Sequence, residues 1–547
     1  MKDMLLLIVK KVKLLISLKL LLFLFIFPIV LCFSCANKSN PASAGGNNNI
    51  ILTPPTRISG SPYPVSQRPD TLFIINESNF TATQLLTIKS LQGILAQTKP
   101  RIYCILNSGD SYSIWLTDLQ KNYGVVADYT YQNDFSGLLN HFKDFIKGYI
   151  LTYTTQPSIH VAFSLAGIKD AVIVTGADEP VVKSLNIPIV EDVTNENYQQ
   201  FFDSTKSVMN KNILCYQDPT KADYLSDYAV FGKMYFFYED ISSSTTSQIF
   251  SRMNPNSALL GWGSSEFDLV QAASQHSIIV HAADWALDLS TLSDFGADTK
   301  QSTYVNNPQT IQNVHTVCFL MTDGDNVQWL LNNFSTDPKW YGSQDRTKVN
   351  LGWTVSPAMC ELAPTVLKKF YDEEGKSEGG RDYFVAGPSG LGYIYPDSYV
   401  SLDSYAALTN EYMKKADLHI VNVIGNSMTS QYLLPFVNQD QVDAVFFYFY
   451  ANYAGGNGEI LWVNNKPVIA AKYNLWSPQY ESPESLAAKL NASSTDVTSS
   501  TGYSLVDVHV WSHSVSDVVR CVSLLNKNVR VVAPDEFVAL IKANVNH

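Results

Sequence analysis

The chain has 547 residues, 46% of them hydrophobic and 16% charged, with a formal net charge of −12. That balance excludes a disordered polymer and leaves room for two or more domains around a large core. The acidic charge, with no Lys/Arg block after the leader, excludes a nucleic-acid partner. Aromatic residues make up 12% of the chain, 30 of them tyrosine. Tyrosine and tryptophan stack on sugar faces but also fill cores, so composition points toward carbohydrate only mildly.

Lys2, Lys10, Lys11, Lys13 and Lys19 precede or interrupt an apolar run from Leu14 through Leu31, which ends at Cys32-Phe33-Ser34-Cys35. A basic leader, an apolar stretch and a small residue before the cleavage point predict a secretory signal over residues 1–35. Leu31 and Ser34 ahead of Cys35 resemble a bacterial lipoprotein signal, in which Cys35 becomes the acylated first residue. An uncleaved anchor helix is the alternative. Residues 36–60, rich at first in Ser, Asn, Gly, Ala and Pro, read as a flexible tether. The expected location is the cell envelope, with the membrane touched through the lipid alone. Cys104, Cys215, Cys318, Cys360 and Cys521 are scattered, with no CxxC among them, which argues for buried free thiols over a thiolate zinc site.

From 61 to 305 strand-like runs alternate with helical ones, beginning with Asp70–Ile75, the helix-like Thr83–Gln97 and Arg101–Leu106. A similar pattern recurs near Gly148–Thr175 and again near Ala229–Val280. The polar stretch Asp298–Thr303, with Asn306-Asn307-Pro308 behind it, marks the domain boundary. From 306 to 547 strand-like runs fall at Thr316–Met321, Val349–Val355, Tyr383–Ala386, Leu418–Val423, Ala444–Tyr450, Pro467–Ala471, Leu505–Val510 and Val529–Val532, with helical stretches between several of them. This alternation predicts an α/β fold, a closed β/α barrel of seven or eight parallel strands. No GxGxxG follows the first strand, so no dinucleotide cofactor is expected.

Function in such a barrel gathers at the C-terminal strand ends. There stand Asp323-Gly324-Asp325-Asn326, Trp353, Lys472, Asn474, Trp476, His509, Trp511 and His513. The third strand leads into Gly390-Leu391-Gly392-Tyr393-Ile394-Tyr395-Pro396. Two glycines, two tyrosines and a proline suit a rigid loop that brings backbone and flat rings close to a ligand, although a turn capping the core has the same composition. Asp323 and Asp325, one glycine apart, form a pair able to raise one pKa or grip a water jointly. A polar turn with both acids solvated is the plain alternative.

The heptad spells G-x-G-Y-x-Y-P, and the chain resembles the GxGYxYP family, bacterial proteins regarded as glycoside hydrolases. The resemblance also rests on Ser90–Leu95, on Gly261-Trp262-Gly263 through Glu266, and on Met321–Asn326, and it covers nearly everything after residue 60. It implies an N-terminal domain of three divergent α/β repeats, a seven-stranded TIM-like barrel and a cleft between them. Glu266 stands where the family's acid occurs, and Asp323 and Asp325 match its aspartate pair. Read from the residues alone, Glu266 also fits the first turn of a helix capped by Ser264 or Ser265.

These expectations make the chain a lipid-tethered, monomeric hydrolase of poly- or oligosaccharides. One aspartate acts as base and Glu266 as acid, on the inverting plan of two carboxyls roughly 6.5–9.5 Å apart. Tyr393, Tyr395, Trp353 and Trp511 are the expected sugar platforms, with His509, Asn326 and Lys472 as further substrate contacts. A noncatalytic glycan-binding lipoprotein is the alternative of a different class. A metal-dependent deacetylase would use Asp323 with His509 and His513, but the order and spacing depart from that pattern, and no metal is expected. The export signal disfavours a transferase using activated sugars, and no GxSxG is present to suggest a serine nucleophile.

Overall fold

The first two strands of the first unit are short apolar runs, and its first helix begins at a polar cap. β1 (Thr71–Asn76) leads to the helix Ala82–Ala96, where Thr81 and Gln84 form a capping box. β2 (Ile102–Ile105) and β3 (Val126–Asp128) complete a parallel sheet ordered β2-β1-β3. The second unit repeats the plan with β4 (Gly148–Thr152), β5 (Ala171–Thr175) and β6 (Ile189–Asp192), ordered β5-β4-β6. The third has β7 (Ile213–Tyr216), β8 (Phe236–Phe237) and β9 (Ser257–Gly261), and adds β10 (Ile278–His281), in the order β10-β9-β7-β8. In all three the first strand is central, with the second and third on its flanks. The third unit begins at Ile213, ahead of the Ala229 suggested by the sequence pattern, because its opening strand is a four-residue buried run with no alternation to reveal it.

This computed structural model describes residues 50–107, 109–301 and 308–547. The expected signal, Cys35, residues 36–49 of the tether and residues 302–307 of the expected boundary lie outside the described residues. From residue 50 onward the chain packs as one unit.

The C-terminal region builds one large curled sheet. Its strands are β11 (His315–Met321), β12 (Leu351–Val355), β13 (Asp382–Ala386), β14 (Ile420–Gly425) and β15 (Ala444–Phe449), followed by β16 (Ile460–Val463), β17 (Lys466–Ala470), β18 (Tyr473–Leu475), β19 (Tyr503–Val508) and β20 (Val529–Val531). The order is β16-β17-β15-β14-β13-β12-β11-β19-β18, and β20 pairs with the start of β11. All pairings are parallel except β16 with β17, a hairpin turned by Asn464 and Asn465, both at positive φ. Only two residues separate β17 from β18. Across them the Ala471 N–H donates to Phe447 and the Lys472 N–H to Leu505, so one segment bonds β15 and then β19. Helices such as Pro364–Asp372, Leu402–Ala416, Pro483–Asn491 and Val515–Ser523 lie between strands, in the stretches the sequence marked as helical.

Alternation along the strands sorts residues between the inner face and the helix layer. A Cβ added at Gly352 would meet Pro534 Cγ at 2.6 Å and Leu320 Cδ1 at 2.8 Å, which places this position inside. Its neighbour Trp353 points the other way, fully buried against Phe334 and Tyr341, with its indole N–H donating to Asp382 at 2.8 Å. The five described cysteines are buried free thiols, as expected.

Candidate active site

The loop after β11 is set by its glycine. A Cβ on Gly324 would lie 1.8 Å from the Thr354 carbonyl oxygen, and the Gly324 N–H donates to Thr354 Oγ1 at 2.9 Å. The turn so pinned holds Asp323 at φ +66°, a left-handed backbone that aspartate tolerates better than most residues. Asn326 then caps the helix Val327–Leu331, accepting from the Trp329 N–H at 3.2 Å.

The glycine–tyrosine heptad is stitched to β10, the strand that the third unit adds. The Tyr393 N–H donates to Val280 O at 2.8 Å, and the Val280 N–H returns a bond to Tyr393 O at 3.2 Å. Gly392 makes the approach possible, since a Cβ there would sit 2.7 Å from both His281 Cε1 and Ile279 Cγ2. The Tyr393 hydroxyl donates to Glu266 Oε1 at 2.7 Å, and its ring lies nearly parallel to Trp262, centroids 6.4 Å apart. Glu266 opens the helix Glu266–Gln275, and Ser265 caps it by accepting from the Asp268 N–H at 3.3 Å. The capped-helix reading of Glu266 and its place at the cleft are therefore compatible.

A cavity of about 360 Å³ lies at the C-terminal end of the curled sheet, closed on one side by the third unit. Glu266, Asp323 and Asp325 all line it, together with Asn326, Tyr393, His509 and Trp511. Trp511 is half exposed at the rim and packs edgewise on Trp340. His509 stacks on Trp476 at 3.9 Å between centroids, and its Nδ1 bonds Ser512 at 2.9 Å. His513 turns away to Ser477 and Asp517, so the two histidines do not share the cavity.

Among the described residues no lysine or arginine lines this cavity. Burial pushes Asp323 up to about 6, opposed by a hydrogen bond to Thr322 and reinforced by the charge of Glu266. Asp325 is raised well above the carboxylate range, by burial first and then by Asp323 and Glu266. Burial, with His513 second, lowers His509 to about 4, leaving a neutral imidazole near neutrality. Asp323 and Asp325, crowded together beside Glu266 with no cation among the described residues of the lining, cannot both ionise cheaply. Among the described residues no cluster of three or more His, Cys, Asp or Glu could hold a metal ion.

Three expected substrate contacts stand elsewhere. Trp353 is fully buried in the helix layer and offers no face to a sugar, because its strand parity turns it outward. Tyr395 is also fully buried, packed on Tyr393, Tyr450 and Phe267, so it supports the tyrosine beside the acids without lining the cavity. Lys472 points to the Thr501 carbonyl at 3.4 Å, outside the cavity. Gln328 and Tyr453 line the cavity without having been singled out. Tyr453 carried a readable signal: it follows an aromatic run and precedes Gly455-Gly456, the same mixture that marks the heptad. Gln328 gave none, since its role depends on a neighbour distant in sequence, the Trp285 N–H, which donates to its Oε1 at 2.7 Å.

Repeated α/β units joined to a curled parallel sheet, with carboxyls gathered where the two meet, define the class of molecule. The chain belongs to the GxGYxYP family. Family models match residues 71–144, 146–208 and 211–294 as its first, second and third N-terminal domains, and residues 313–542 as the "GxGYxYP putative glycoside hydrolase C-terminal domain". A crystal structure described as a putative hydrolase from Bacteroides thetaiotaomicron VPI-5482 is similar with a TM-score of 0.80 and 28% identity, over 90% of this chain and 98% of that one. No curated protein matches the chain.

Proposed function

We propose that this protein hydrolyses glycosidic bonds of a poly- or oligosaccharide bound in the cavity between the repeats and the sheet. The observation that carries the reading is the convergence of Glu266, Asp323 and Asp325 on one cation-free hollow rimmed by aromatic faces. Asp323, ionised above about pH 6, is the base that takes a proton from water. Asp325 keeps its proton and orients Asp323. Glu266 stands on the other lobe, held through Oε1 by Tyr393, so Oε2 is the oxygen that delivers a proton to the leaving group. Trp262, Trp476 and Trp511 supply the flat apolar faces that sugars stack on.

The same reading closes the curled sheet as a seven-stranded barrel, with the segment Lys466–Leu475 as one strand bridging β15 and β19. It makes the active form a monomer without cofactor or metal, tethered through Cys35 to the cell envelope. The test is purified protein lacking residues 1–35, incubated with a panel of plant and host glycans and scored for new reducing ends, with and without chelator. Product that ignores the chelator supports hydrolysis by the acids alone. Release of acetate that stops on chelation would replace this with a deacetylase. Binding without product, surviving loss of all three acids, would make the protein a glycan-binding lipoprotein. A Cys35→Ser substitution that leaves the full chain on membranes would remove the lipid tether.

A further inference from the structure

One layer beneath the cavity floor lies a fourth carboxyl group. Residues two apart on a strand share a side, so Asp507 lies under His509 and Asn474 under Trp476, the two rings that line the cavity. β18 and β19 pair Asn474 with Asp507 in register, and β14 and β15 pair the cavity residue Ile424 with Tyr448. Asp507 and Tyr448 are fully buried and Asn474 nearly so. Among the described residues neither Asp507 oxygen has a hydrogen-bond partner, nor has Asn474 Oδ1, nor the Tyr448 hydroxyl. The Asn474 amide is otherwise engaged, donating to Asn452 Oδ1 at 2.8 Å.

The titratable groups facing Asp507 are Asp323 from the loop after β11, Tyr448 of β15 and Tyr453 from the loop beyond it. Cys318 of β11 faces the same tyrosine, and Arg381, lower in the sheet, is paired with Asp535. Among the described residues no cation reaches Asp507. An ionised carboxylate there would be a bare buried charge, and Asn474 Oδ1 would still lack a donor. A proton on Asp507 removes the bare charge and supplies a donor for Asn474 Oδ1, its neighbour in register.

We propose that Asp507 is a positioning residue of this site, a neutral carboxylic acid that donates to Asn474 and so keeps a dipole instead of a second charge beneath Asp323. Burial and the neighbouring Asp323 both favour the protonated form. The effect on turnover rests on the reading of Asp323 as the reacting base; the protonation state does not.

The experiment is infrared difference spectroscopy at pH 7, wild type minus Asp507→Asn. The expected result is a carbonyl band of a protonated carboxylic acid that the variant lacks, with carboxylate bands unchanged. Loss of a carboxylate band instead would overturn the proposal. Should that variant fail to fold, Asn474→Ala serves: removing the acceptor shifts the acid band in frequency, and an unshifted band would sink the assignment. On any glycan that the wild type cleaves, Asp507→Ala lowers kcat at least tenfold with KM within twofold, and Asp507→Asn recovers most of the loss. An equal defect in both variants would remove the positioning role. If no glycan is cleaved, the infrared result still decides the protonation state, so failure of the hydrolase reading and failure of this one are told apart.

Discussion

Two buried acids in this chain have opposite surroundings. Glu361, wholly buried, accepts four hydrogen bonds: Oε1 from the Ile58 N–H at 2.6 Å and Lys415 Nζ at 3.0 Å, Oε2 from Ser61 Oγ and the Tyr412 hydroxyl, each at 2.6 Å. It ties the segment ahead of β1 to the helix Leu402–Ala416. Asp325 is buried almost as deeply, yet its charged neighbours are two more acids. Residue type and burial are nearly the same; the donor supply is not. Where donors and a cation are provided, the carboxylate is part of the architecture. Where they are withheld, ionisation becomes costly, and a carboxyl whose proton is in play is what acid–base chemistry needs.

The largest effect that sharpens this contrast is on turnover. Asp323→Asn or Glu266→Gln lowers kcat by about 10²- to 10⁴-fold, the range of a lost general acid or base, with KM little changed. In the wild type, kcat rises as pH climbs through about 6, where Asp323 ionises. In Asp323→Asn that limb disappears from the residual rate. Glu361→Ala acts the other way. It costs about 3–5 kcal/mol of stability, since Lys415, Tyr412 and Ser61 lose their common acceptor, while kcat per folded molecule stays at the wild-type value. A Glu361→Ala protein that is stable but inactive would dissolve the distinction between the two regions.

A smaller effect tests whether the mouth stores unfavourable energy. The folded-state value of Asp323, about 6, lies above the ordinary 3.8. A carboxyl raised on folding binds its proton more tightly in the native state, so its contribution to stability is present at low pH and drains away as pH rises from about 4 to 6. Asp323→Asn removes that drain and keeps a residue able to hold φ +66°. The variant therefore gains up to about 3 kcal/mol over wild type at pH 7 and nothing near pH 4. Denaturant titrations at the two pH values measure it. An equal gain at both would place the strain in the backbone alone.

Much of this was legible in the chain, and the misses have a common cause. Most strand runs of the C-terminal half lie within two residues of the observed elements, because parallel strands buried on both faces are continuous apolar runs. The Asp323–Asp325 turn was visible because its glycine is required locally. The errors came where the other face of an element decides the outcome. Trp353 sits near a strand end as a sugar platform should, but one residue of parity turns it into the helix layer. The Asn464-Asn465 hairpin hid β16 between two strands read as neighbours. Asp507 went unremarked because nothing local distinguishes it; its lack of partners exists only once β18 and β19 are side by side.

That parity gives the smallest and most specific test. Trp511 is 50% exposed at the cavity rim, whereas Trp353 on β12 has no exposed surface. The ring is anchored to Trp340 and Trp329, and its indole hydrogen-bonds Asp323 and holds that carboxyl down, so on the proposed reading it serves the substrate and the base together. Trp511→Ala therefore raises KM about tenfold, roughly 1.4 kcal/mol, and moves the acidic limb of kcat to higher pH, with stability within about 1 kcal/mol of wild type. A rise in KM with that limb unmoved would instead mean that the ring serves the substrate alone, and the rim would then stand apart from the acid cluster it encloses.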